Sequence, residues 1–255
     1  MEFIGDIARK TADPSHLRVE AEKSRLAGRI GERSDLFRVP RVLNFDEQAG
    51  VLDFERIPDL ITYTELVMQR QGPYEELASR AGRALAHVHA ELVLHDEMRT
   101  PLPPEWLGSE RPDVCLHGDF TSNNICVDLG DMSLVIVDWS GAPLVGRGPT
   151  VGPGCFDVVW FVRHLSMVAP FAQTLRWPAE TLCNRFIRGY VEEASEPIEG
   201  DIWRRHHEQL DEFTQKGSAV RGSRGSLLTR SMRTLAQSIL YRSWQRYEPP
   251  SGSLT

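Results

Sequence analysis

The chain has 255 residues, with 29 lysines and arginines against 36 aspartates and glutamates, giving a formal net charge of -7. That balance argues against a general nucleic-acid binder, which carries a basic surface. With 41% hydrophobic and 25% charged residues it reads as an ordinary globular protein, long enough for one large domain or for a small lobe joined to a larger one.

Residues 3–10 predict one strand. Asp13 and Pro14 then offer an N-cap followed by proline at the first helical position. The helix that starts there carries Leu17, Val19, Leu26 and Ile30 and is expected to stop at the glycines between Gly28 and Gly31. Residues 39–43 and 51–57 predict two strands joined by a polar turn over 46–50, with Pro58 and Asp59 breaking the second. Leu77, Ala81, Ala84, Leu85, Val88 and Leu92 recur at helical spacing, which predicts an amphipathic helix over 74–92. His87 and His89, two apart on that helix, point to different faces and form no metal pair.

Further along, residues 125–127 and 134–137 read as two short strands around a turn at 128–131. The breaker-rich stretch 146–154 predicts a loop. Pro149 and Pro153 remove backbone donors and no G-K-[ST] follows, so it is a poor phosphate cradle. Residues 156–168 are apolar almost all round apart from Asp157, Arg163 and His164, which predicts a buried helix. Further helices are predicted over 179–194, 201–215 and 226–247, the last two separated by a loop at 217–225. Cys115, Cys126, Cys155 and Cys183 lack C-x-x-C spacing and read as buried thiols. No stretch reaches the apolar length of a membrane span, and residues 1–10 lack the pattern of a signal peptide, so a cytoplasmic protein with no membrane partner is expected.

The chemistry concentrates in His117-Gly118-Asp119, with Asn124 five residues after the aspartate and Asp138 closing the apolar run Leu134-Val135-Ile136-Val137. Phosphoryl transfer from a nucleotide needs a carboxylate that orients the acceptor hydroxyl, and hard oxygen ligands for Mg2+. Asp119 and Asn124 form the D-x-x-x-x-N spacing of a kinase catalytic loop, and a short hairpin would bring Asn124 beside Asp138. Asp119 is the candidate base, and Asn124 and Asp138 are the candidate metal ligands. Metal and serine hydrolases fit less well, since neither H-E-x-x-H nor G-x-S-x-G occurs.

The constellation H-G-D-x-x-x-x-N followed by I-V-D-W resembles the aminoglycoside phosphotransferase family, small-molecule kinases that share the bilobal protein-kinase fold. Glycine replaces the arginine of the protein-kinase H-R-D, and Asp-Trp-Ser stands in place of D-F-G. Both departures favour a small-molecule kinase. The resemblance implies an α+β, protein-kinase-like bilobal fold, with a small N-terminal β lobe over 1–57 and a larger, mainly helical C-terminal lobe over 58–255. It implies ATP and Mg2+ as cofactors and a small-molecule hydroxyl as acceptor.

The same resemblance assigns further roles. Glu55 to Ile57 would form the hinge whose backbone meets the adenine edge, an ordinary edge strand being the alternative. A lysine must grip the phosphates. Of the three lysines, Lys10 at a strand end is the well-placed one, with Arg9 as a competitor; Glu20, or else Glu22, would hold it from the following helix. His117 would pin the loop, a second base being the other reading, and Asp157 would brace the loop through backbone amides. The loop at 146–154 would cover the acceptor site. A family member places two strands and a phosphate-covering loop ahead of the lysine strand, whereas nine residues precede Lys10 here. A lobe without that strand pair is therefore expected, and a noncatalytic kinase-like binding protein is the alternative function. Trp177, Trp203, Glu208, Asp211 and Glu212 could line an acceptor pocket whose acids suit an amine, or could be core edges and solvated faces.

Overall fold

The computed structural model describes residues 1–102, 113–141, 150–169, 176–194 and Glu208. Strands β1 (Glu2–Ile4), β2 (Ile7–Thr11), β3 (Val42–Asp46) and β4 (Val51–Glu55) form an antiparallel sheet in the order β1-β2-β4-β3. The single strand expected over 3–10 is a hairpin instead. Ile4 pairs with Ile7 around Gly5, whose φ of 58° suits the first position of a two-residue turn. One strand therefore precedes the one that carries Lys10.

Helix α1 (Pro14–Ser34) is capped by Asp13, which accepts from the Ser15 amide at 2.9 Å. It runs through both glycines that were expected to stop it and ends at left-handed Asp35. Gly31 serves close packing, because a Cβ there would collide with the Phe37 carbonyl. Its first half covers the small sheet, where Ala8, Leu17, Ala21, Leu52 and Phe54 form a separate apolar cluster.

After the break at Pro58 and Asp59 come two elements not foreseen, β5 (Leu60–Thr62) and α2 (Tyr63–Gln69). Thr62 and Glu65 form a capping box at the start of α2, a T-x-x-E signal that was legible in the sequence. Strand β5 joins β7 (Ile125–Asp128) and β8 (Ser133–Ile136) in the order β5-β7-β8. A third, two-stranded sheet pairs β6 (Val114–Cys115) with β9 (Val151–Gly152), inside the stretch expected to be loop. Strands of two residues carry no readable period, so pairing alone reveals them.

Helices α3 (Tyr74–Glu91), α4 (Cys155–Met167) and α5 (Ala179–Ala194) build the larger core. Helices α3 and α5 approach closely because Gly82 lies against the Phe186 carbonyl and Gly189 against the Ser79 carbonyl. The rings of Phe161 and Phe186 meet at 4.1 Å, tilted by 35°, between α4 and α5. Among the described residues no helix is long and apolar enough to cross a membrane. The helices expected over 201–215 and 226–247 lie outside the described residues, apart from Glu208.

Candidate active site

The β7–β8 hairpin sets the site. Its register pairs Ile125 with Ile136, and one step further the Val137 amide donates to the Asn124 carbonyl at 2.9 Å. Asn124 and Asp138 are thereby placed on adjoining strand ends. Asp138 adopts a left-handed backbone with φ 59°, an uncommon conformation for a residue with a side chain. Its Oδ1 accepts from Lys10 Nζ at 2.8 Å and from Ser140 Oγ at 2.7 Å. Lys10 Nζ also donates to Glu20 Oε1 at 2.9 Å, so Glu20, Lys10 and Asp138 form one chain of charges. Arg9, the competing cation, is spent on Asp53.

Burial alone would lower the Lys10 ammonium, but Glu20 and Asp138 outweigh it and hold the pKa above its ordinary value. For Asp138 burial pushes upward, and Lys10 and the Ser140 hydroxyl, with a smaller pull from His117, together outweigh it, leaving the carboxyl below its usual range. Glu20 is 1% exposed and burial wins there, raising its pKa despite Lys10.

Asn124 Nδ2 donates to both the carbonyl and the Oδ2 of Asp119 at 2.9 Å. Trp160 Nε1 donates to Asp119 Oδ1 at 2.8 Å. Burial raises the Asp119 pKa, helped by Asp138 and Asp157, and the two side-chain hydrogen bonds offset this only in part. The surrounding loop is braced from several sides. Asp157, fully buried, accepts from the His117 amide at 2.7 Å, the Gly118 amide at 2.9 Å and His89 Nε2 at 3.1 Å. Lys23, also fully buried, donates to the His117 carbonyl at 2.8 Å.

Both nitrogens of His117 are committed. Nε2 faces the Val137 carbonyl at 3.2 Å and must donate, while Nδ1 accepts from the Asp119 amide at 3.3 Å. Burial lowers its pKa to about 4, so the ring is neutral and its basic nitrogen is not free. A second closed network follows. Thr64 Oγ1 donates to Asn123 Oδ1, so it must accept from Ser122 Oγ; Ser122 then accepts from His164 Nδ1, and Asn123 Nδ2 donates to His164 Nε2. Burial keeps His164 neutral, with a pKa near 4, as this tautomer requires.

Between the small sheet and the β7–β8 hairpin lies a cavity of about 350 Å3, apolar where Ala8, Phe54, Ile57 and Trp139 line it and acidic where Glu20 and Asp138 do. At its edge the Glu55 and Arg56 amides donate to the carbonyls of Arg41 and Asp6. The Ile57 amide has no backbone partner among the described residues.

No protein-family profile matches the chain, and neither does any curated protein. Solved structures do. A glucosamine kinase in complex with glucosamine, ADP and inorganic phosphate matches with a TM-score of 0.60 at 16% identity, over 95% of this chain and 78% of that one. A choline/ethanolamine kinase family protein from Mesorhizobium loti matches at 0.53 and 15% identity, over 96% and 84%. A choline kinase from Streptococcus pneumoniae matches at 0.52 and 11%, over 92% and 86%. The fold is kinase-like.

Within this kinase-like α+β frame, the structure gathers Lys10, Glu20, Asp119, Asn124 and Asp138 as expected, and places His117 and Asp157 behind them. Glu55 and Ile57 border the cavity, and the Glu55 side chain turns to Arg41. Trp177 packs at the core. It is 9% exposed, and its Nε1 donates to the Leu165 carbonyl, which makes it part of the core. Glu208 is exposed, and Trp203, Asp211 and Glu212 lie outside the described residues. Residues 146–149 of the expected covering loop also lie outside them. Sequence reasoning missed Lys23, Trp160 and His164 as loop contacts. For the last two a signal existed, since they share a helical stripe with Asp157.

Proposed function

We propose that this chain is an ATP-dependent phosphotransferase that phosphorylates a hydroxyl of a small molecule, with Asp119 as base and Asn124 and Asp138 holding Mg2+. The observation that carries this is the Glu20–Lys10–Asp138 charge chain at the polar end of an apolar cavity, with the hairpin register setting Asn124, hydrogen-bonded to Asp119, beside Asp138.

The donor set fits Mg2+. Asn124 spends its Nδ2 on Asp119, which leaves Oδ1, and Asp138 accepts through Oδ1, which leaves Oδ2. Among the described residues no three His, Cys, Asp or Glu gather as a closed metal cage. Mg2+ does not require one, because it binds through one or two protein oxygens plus water and phosphates. When bound it would neutralise charge on the transferring phosphates.

The chain's own groups do the rest. The Ile57 amide offers a donor to the edge of a purine while Ala8 and Phe54 supply apolar walls. Lys10, held by Glu20, presents an ammonium to the phosphates. Asp119 orients the acceptor hydroxyl and takes its proton late, a role that its upward-shifted carboxyl suits. ATP as donor is supported by the ADP in the glucosamine kinase neighbour, and an acceptor with a cationic nitrogen by the glucosamine and choline in the neighbours' names. We divide the chain at Ile57–Pro58 into a small lobe with its own apolar cluster and a catalytic lobe. Buried thiols at Cys115, Cys126 and Cys183 suit a reducing compartment, and we propose a cytoplasmic location.

Isothermal titration with ATP tests the reading: binding should require Mg2+ and vanish with a chelator. Asp119→Asn should retain that binding and lose turnover by roughly 100-fold or more. No Mg2+-dependent binding refutes the proposal, and binding without turnover of any hydroxylated acceptor identifies a noncatalytic protein.

A further inference from the structure

Helix α4 addresses the loop 117–124 with three side chains from one stripe. Asp157, Trp160 and His164 stand at i, i+3 and i+7, which puts them on one helix face. In that order they hold the His117 and Gly118 amides, the Asp119 carboxylate, and the Ser122–Asn123 pair. Partners therefore follow along the loop in the same sequence as their holders along the helix. The outer two members grip backbone and polar side chains of the loop. The middle one grips the reacting carboxylate itself.

We propose that Trp160 is a positioning residue for phosphoryl transfer, aiming the Asp119 carboxylate through its indole N–H. This rests on Asp119 being the acceptor-orienting base. The indole nitrogen is a donor only, so it can neither take nor supply the proton that Asp119 handles. With Trp160 on Oδ1 and Asn124 on Oδ2, the carboxylate is tied at both oxygens. Rotation about its last bond, otherwise broad for an aspartate, is stopped. Each oxygen retains a lone pair for the acceptor hydroxyl.

The holder is itself rigid. Trp160 stacks on Phe156 at 5.6 Å and 20°, and Phe156 is fully buried. Tryptophan thus anchors the carboxylate to the helix core, which a flexible polar donor would not do. A change at Trp160 leaves the nearby charges of Lys10, Asp138 and Asp157 in place but removes one hydrogen bond that lowers the Asp119 pKa, so kcat is compared on its pH plateau, where geometry is what differs.

Two substitutions separate the N–H from the ring: Trp160→Phe, and replacement by 3-benzothienylalanine, which keeps the bicycle and lacks the donor. With Mg-ATP, and with glucosamine or water as probe acceptor, kcat should fall about 10–100-fold in both, the scale for a misplaced reacting group, while the KM for ATP and the thermal midpoint of the benzothienyl protein stay put. Unchanged kcat in that protein overturns the positioning role. Independently of turnover, the indole 1H–15N resonance of Trp160 should move upfield in Asp119→Ala. A resonance that does not move overturns the contact. A wild-type protein that shows the shift yet turns over nothing overturns the proposed activity, and the catalytic role with it, the contact alone surviving.

Discussion

Asp157→Asn is the sharpest test of how the loop is held. The carboxylate is fully buried and accepts three hydrogen bonds: two from backbone amides at 2.7 and 2.9 Å and one from His89 at 3.1 Å. Burial alone would raise its pKa, and the His89 and amide contacts outweigh it, so it stays ionised. Asparagine has one oxygen and one NH2. Whichever way it turns, its NH2 faces either the His117 or the Gly118 amide, and one buried backbone donor is orphaned against another donor. An orphaned buried donor costs about 1–3 kcal/mol, and the remaining bonds lose their charge assistance, so roughly 2–4 kcal/mol is expected in all. For a chain of this size that lowers the thermal midpoint by roughly 5–15 °C. Urea unfolding of the two proteins measures it directly. A loss below about 0.5 kcal/mol, no more than an ordinary surface substitution, would refute the reasoning that these amides depend on the carboxylate.

Three further outcomes are expected. His117 is buried with its pKa lowered from 6.5 to about 4, so the unfolded chain binds more protons between those values. Stability is therefore full above the upper value and falls as the pH drops through the window, by about 1.4 kcal/mol per unit for this residue; His117→Gln should flatten the slope in unfolding curves taken across that range. Gly82→Ala pushes a Cβ into the Phe186 carbonyl and to 2.7 Å from the Tyr190 amide, costing about 1–3 kcal/mol or more, whereas at Gly28 the nearest atom is 3.9 Å away and Gly28→Ala should gain about 0.5–1 kcal/mol. Thermal denaturation separates the two signs. Asp138→Asn removes both the charge of the proposed metal oxygen and the partner of Lys10, and titration should show Mg-ATP binding weakened by about tenfold or more, equal to roughly 1.4 kcal/mol.

Local signals were legible wherever the responsible residues are close in the chain. Asp119, Asn124 and Asp138 could be placed around one hairpin because two apolar runs flank the turn at 128–131, and the structure pairs Ile125 with Ile136 and Val127 with Leu134. Helix α5 runs over the stretch predicted, and α3 falls one residue short of it, because their apolar stripes are long and regular. Glycines misled where packing outweighed propensity. Gly31 signalled a helix end but is required by the Phe37 carbonyl, a contact no local rule contains.

By itself the sequence determined which oxygens and nitrogens are available and how far apart the chain can carry them: a D-x-x-x-x-N loop, an acid beyond a short hairpin, and a lysine followed by a helical glutamate. Only the tertiary structure decided which side chains hold that set in place. Lys23 reaches the loop across 94 positions and Trp160 across 41. Such pairs are set by how helices pack on one core, and the free energy that selects them is spread over buried area belonging to no single segment.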